Sequence, residues 1–173
     1  MNTDGDKPSI LIVDDDKNNL FVLNDILESE YTIYTAKSGQ NALKIASSLN
    51  PDLILLDIIM PDMSGFDVLK RMKEINELKE TPVIFITGLA SVEDEARGFT
   101  LGAADYITKP CHNTSVKVRV NNQLKSVMQR RVIERNAMLD ALTGIPNRRS
   151  HDKRLTMEWA DAVREQRPLS LIM

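Results

Sequence analysis

The sequence predicts an α/β fold, a doubly wound sheet of five parallel strands followed by an extended C-terminal helix. Three observations carry this. Short apolar runs of strand length alternate with segments of helical periodicity, the pattern of a parallel sheet with crossover helices. Three of the runs, SILIV, DLILL and PVIFIT, are almost wholly apolar, as strands covered on both faces must be. After Pro110 the chain then runs from His112 to Thr143 without a glycine or a proline.

Taken in order, a tail over residues 1–8 leads into a strand at 9–13, and Asp16 is placed to cap a helix over 17–29. A strand at 31–36 precedes a helix over 39–49, which Asn50-Pro51 ends. The third strand, 52–56, is followed by a turn at Pro61 to Gly65 and a helix over 65–75. Pro82 opens a strand at 82–87; a helix over 91–101 and a strand at 105–108 complete a domain over residues 9–125. Residues 126–139 continue its last helix as a linker. Leu124, Met128, Val132, Leu139 and Leu142 fall on one helical face, interrupted by Arg135. The segment outruns the ~10–14 residues of an average helix. That favours pairing with the same helix of a second subunit over packing on its own domain. A second unit, 140–173, reads as a turn at TGIPN, a helix over 148–165 and a strand over 169–173. It is too small to bury a core of its own and reads as the first part of a larger domain.

Composition narrows the function classes. The 173 residues are 42% apolar and 27% charged with seven glycines and seven prolines, an ordinary globular balance. One cysteine, Cys111, leaves no intramolecular disulfide or cysteine-rich zinc cage, fits a reducing compartment and reads as a small packing residue. His112 and His151 have no metal-ligand spacing. The polar, acidic start MNTDGDKPS is unlike a secretory signal, and no run approaches ~18 apolar residues, so a cytoplasmic protein without a membrane contact is expected. The net charge of −3 conceals two regions. Residues 1–112 carry 10 Lys/Arg against 19 Asp/Glu, and residues 113–173 carry 12 against 6.

Ligands of a doubly wound sheet bind at the carboxyl ends of its strands. Asp14, Asp15 and Asp16 follow the first strand, Asp57 the third, Thr87 the fourth and Lys109 the fifth. Carboxylates converging on one edge repel unless a cation neutralises them, and an all-oxygen set selects a hard ion such as Mg2+. A lysine and a hydroxyl beside such a pocket suit an anion that arrives with the metal. That is the equipment of phosphoryl transfer, in which an aspartate can itself be the acceptor.

The strings LIVDDD, LILLDIIMPDMSG, VIFITG and ADYITKP, in this order and spacing, closely resemble the receiver domain of bacterial two-component response regulators. The resemblance implies a flavodoxin-like strand order 2-1-3-4-5. It implies that Asp57 is the phosphoacceptor for a sensor histidine kinase or phosphotransfer protein. Mg2+ would be held by Asp15, Asp57 and the backbone carbonyl of Ile59, with Asp14 acting mainly through water. Thr87 and Lys109 would contact the phosphoryl oxygens, and Lys109-Pro110 would be a cis peptide. Thr87 and Tyr106 would form a switch, the aromatic turning inward as Thr87 moves toward the phosphate. Ile59 and Leu89, two residues beyond Asp57 and Thr87, are apolar and cannot orient a hydrolytic water, so autodephosphorylation is expected to be slow.

LTGIPNRR, the Glu158-Trp159 pair and PLSLIM resemble the beginning of a GGDEF diguanylate cyclase domain. That family's metal-binding aspartate, guanine contacts and GG(D/E)EF turn lie beyond its first strand, and this sequence contains no Gly-Gly. The residues present therefore make a switch without the catalyst. The resemblance implies a parent enzyme that condenses two GTP into cyclic di-GMP, with phosphorylation favouring a homodimer that brings two output domains together. Two readings compete with it: a transcriptional regulator whose basic C-terminal part binds DNA, and a stand-alone interaction module. No second short helix for a DNA-reading motif is evident, which disfavours nucleic acid as a partner, and TGIPNRR and PLSLIM favour the cyclase.

Overall fold

Runs apolar on every side chain can only be interior, and the computed structural model places them there. It describes residues 7–88, 92–136, 143 and 145–170. Five strands, β1 (Ser9–Val13), β2 (Thr32–Ala36), β3 (Leu53–Asp57), β4 (Val83–Thr87) and β5 (Asp105–Thr108), form one parallel sheet in the order β2-β1-β3-β4-β5. The helices between them are α1 (Lys17–Leu27), α2 (Gly39–Leu49), α3 (Gly65–Glu74) and α4 (Val92–Thr100), and the long helix is α5 (Asn113–Asn136). Every residue of β3 and β4 is buried.

Alternation along the strands divides the core in two. Leu11, Ile54, Leu56 and Phe85 join Phe66 and Leu69 of α3 in one cluster. Ile10, Ile12, Leu55 and Ile84 join Leu23 of α1 and Val116, Val120 and Leu124 of α5 in the other. Local chemistry sets the helix starts: the side chains of Asp16, Ser38 and Ser64 each accept a backbone N–H of the following turn. The capping role expected of Asp16 is met by a 2.8 Å bond from the Asn18 N–H. Strand β3 begins one residue later than the sequence suggests, because Asp52 turns its carboxylate to the N–H and hydroxyl of Ser9, at 2.7 and 3.1 Å. Asp57 thereby becomes the last residue of the strand.

The chain divides into two units, residues 1–126 and 127–173. In the second, α6 (Arg148–Glu165) begins at Asn147, whose side chain accepts the Ser150 N–H at 3.1 Å, and covers the span expected of it. Of the expected stripe, Leu124 is buried in the core of the first unit and Val132 is 58% exposed; Leu139 and Leu142 lie outside the described residues. Of the strand expected over 169–173, residues 169 and 170 carry no strand and residues 171–173 lie outside the described residues. Among the described residues no helix is long and apolar enough to cross a membrane.

Candidate functional site

The β1–β3 pair stands where the strand order reverses, so its carboxyl ends open a crevice. Asp14 follows β1 and Asp57 ends β3; both are buried, while Asp15 is exposed. Carboxylate oxygens of these three residues lie within 4.8 Å of one another. Lys109, just past β5, reaches across the edge. Its Nζ donates to Asp14 Oδ2 at 2.8 Å and to Asp57 Oδ2 at 2.7 Å. Thr87, wholly buried, ends β4 beside Thr108 of β5, and its carbonyl accepts the Lys109 N–H at 2.8 Å. The Lys109-Pro110 peptide is cis, as expected.

The remaining acceptor positions are satisfied locally. Asp14 Oδ1 accepts the Asp16 N–H at 2.9 Å and the Asn19 side-chain amide at 3.0 Å. Asp57 Oδ1 accepts the Ile59 N–H at 3.3 Å, while the Ile59 side chain is 63% exposed. Leu89, its counterpart in the expectation of slow hydrolysis, lies outside the described residues. Close packing brings α3 onto the site: a Cβ at Gly65 would stand 2.3 Å from the Asp57 carbonyl oxygen, so only glycine fits there.

Burial pushes the Asp57 carboxyl up, and the Asp14 charge adds to this against the opposing pull of Lys109. For Lys109, burial works against the charge, but the hydrogen bonds and charges of Asp14 and Asp57 outweigh it and raise the pKa. The lysine therefore stays protonated as the internal counter-ion of two buried carboxylates. Three carboxylates within one ion's reach, with no nitrogen or sulfur donor among them, fit a hard divalent cation. Cys111 packs against the core cluster that α1 and α5 cover, and burial raises its thiol pKa, which agrees with a packing role.

Tyr106 on β5 is buried. Its ring lies 5.3 Å from Phe85 and 5.2 Å from Phe99, and its hydroxyl donates to the Asp94 carbonyl of α4 at 3.0 Å. The slot exists because residue 98 is glycine: a Cβ there would come within 1.6 Å of the tyrosine hydroxyl. Asn19 and Gly98 were not identified from the sequence. Only the spacing of Asn19 one turn into the helix after Asp14 hinted at its role.

An acidic triad with a bridging lysine at the switch point of a 2-1-3-4-5 sheet defines a receiver domain. Residues 10–121 match the response regulator receiver domain family, more than half of the chain, and the protein belongs to that family. Residues 137–173 match the diguanylate cyclase GGDEF domain family. Over 118 residues the chain is 43% identical to a protein of Vibrio cholerae serotype O1 described as "Probable cyclic di-GMP phosphodiesterase", covering 68% of this chain and 27% of that one. It is 34% identical over 113 residues to the cell cycle response regulator CtrA of Brucella ovis, covering 65% of this chain and 48% of the relative. A receiver domain protein (CheY-like) from Methanospirillum hungatei superposes with a TM-score of 0.67 at 30% identity, over 71% of this chain and 98% of that one. The chain thus spans about a quarter to a half of the curated relatives it matches.

Proposed function

We propose that this chain is the phosphorylation-controlled input region of a diguanylate cyclase, with a receiver over 9–125, a helical connector over 126–139 and the entrance of the cyclase domain over 140–173. The observation that carries the reading is the Lys109 bridge between Asp14 and Asp57, in a chain that continues into a GGDEF match. Asp57 Oδ attacks the phosphorus of a phosphohistidine on a sensor kinase or phosphotransfer protein; the P–N bond breaks and the P–O bond forms. Asp15, Asp57 and the Ile59 carbonyl would hold Mg2+, with Asp14 acting mainly through water, and the ion would supply positive charge to balance that of the phosphoryl oxygens. Lys109, freed from one carboxylate, and the Thr87 hydroxyl contact those oxygens. Movement of Thr87 is relayed to Tyr106 and so to α4 and α5, and the phosphorylated form pairs as a homodimer. The exposed, apolar Ile59 side chain supports a long-lived phosphoryl group.

Receivers are evidently joined to different outputs, since the Vibrio relative is described as a phosphodiesterase and the Brucella relative as a cell cycle regulator. The match at 137–173 favours the cyclase for this chain. Incubation with a small phosphodonor and Mg2+ should label wild type at one site per chain and leave Asp57→Asn unlabelled; equal labelling of the variant would overturn the assignment. Beryllofluoride should raise the sedimenting mass toward that of a dimer.

A further inference from the structure

The loop over residues 58–64 carries Ile59, the proposed carbonyl ligand, and its anchoring decides where that carbonyl lies. The loop's start is fixed by the Ile59 N–H on Asp57 and by burial of Ile58 and Met60. Its end is fixed by the Ser64 cap of α3 and by the contact of Gly65 with Asp57. Between these, exposed Asp62 reaches a different element. Its Oδ1 accepts the backbone N–H of Gly39 and its Oδ2 that of Gln40, both at 3.2 Å, in the first turn of α2.

A carboxylate on two successive N–H groups at a helix start is favoured by hydrogen bonding and by the helix dipole together. Helix α2 has a cap already, because Ser38 Oγ accepts the Asn41 N–H at 3.3 Å. The second set of bonds is therefore not needed to start the helix, and what it adds is a tie between helix and loop. Met63 reinforces the tie. It packs in the space left by the missing side chain of Gly39, where a Cβ would stand 3.0 Å from Met63 Cβ and 2.7 Å from Val68 Cγ2.

We infer that Asp62 is a positioning residue for the metal site: it straps the β3–α3 loop to α2 and so holds the Ile59 carbonyl in register with Asp15 and Asp57. This rests on the Mg2+ reading proposed above. The test is a titration of the full chain with MgCl2 alone, followed by amide resonances in 1H–15N spectra, with thermal melts in parallel. Asp62→Ala should weaken Mg2+ binding roughly tenfold, as loss of a supporting residue around a metal site does. Asp62→Asn, which keeps one acceptor oxygen, should recover part of the affinity. Ser38→Ala frays the same helix end and should lower the melting temperature while leaving Mg2+ affinity at the wild-type level. Wild-type affinity in Asp62→Ala, or an equal loss in Ser38→Ala, would overturn the inference. Absence of saturable binding by wild type would instead remove the metal reading itself, and the strap with it.

Discussion

In residues 7–126 every described helix has a sheet to lie on, whereas in residues 127–170 helix α6 leaves Met157, Trp159 and Val163 more than 60% exposed. Helices α1, α2 and α6 start for the same local reason, an Asx or Ser side chain that accepts a backbone N–H of the first turn. They differ in burial. Leu23 of α1 and Leu69 of α3 are sealed against strands, while on α6 only Ala162 is buried among the described residues. Caps and propensity thus suffice to draw a helix, but stability comes from the apolar face having something to cover it.

The sharpest way to break this comparison is a pair of truncations. Leu55→Ala, in the middle of β3, should cost roughly 2–5 kcal/mol, the range for deleting a fully buried leucine side chain. Trp159→Ala should stay within about 0.5 kcal/mol despite removing a larger side chain, because that ring is mostly in solvent. Urea melts of both variants decide it; equal losses would mean that α6 is covered in solution.

Within the first unit, Gly98→Ala tests how tightly α4 is fitted to β5. Overpacking of this kind should cost about 1–3 kcal/mol. It should also expel the Tyr106 ring from its slot while Asp57 still accepts phosphate. Ring resonances of labelled tyrosine report the position, and a ring that stays buried would show that α4 yields instead.

The smallest effect is expected at the acidic edge. Because the folded Asp57 pKa is raised, the native state binds more protons than the unfolded chain in the window just above the ordinary carboxylate range. Stability of the metal-free protein therefore falls as pH rises through that window. Asp57→Asn should remove that part of the slope and leave the metal-free protein more stable than wild type at neutral pH. Urea melts in chelator across this range check it. A wild type no less stable at neutral pH than the variant would show that Lys109 fully compensates the buried charge.

Much of the first unit was legible along the chain. Strand alternation, the proline and glycine punctuation and the DDD, D, T and K placements each depend on neighbours in sequence, and β1, β5 and α2 fall where these signals put them. What covers the long helix was less legible, because an apolar run states that burial is wanted, not by what. Leu124 is buried by its own domain, while Val132 on the same helix is 58% exposed.

By itself, then, the sequence determined which elements form and which residues reach the sheet's carboxyl edge, because helix caps and strand ends are local. Only the tertiary structure decided that Lys109 bridges Asp14 and Asp57 across 95 and 52 residues, that Asp62 ties its loop to α2 and that Gly98 opens the slot for Tyr106. Such contacts are set by sub-ångström fits between elements brought together by the sheet, and spacing along the chain carries no record of them.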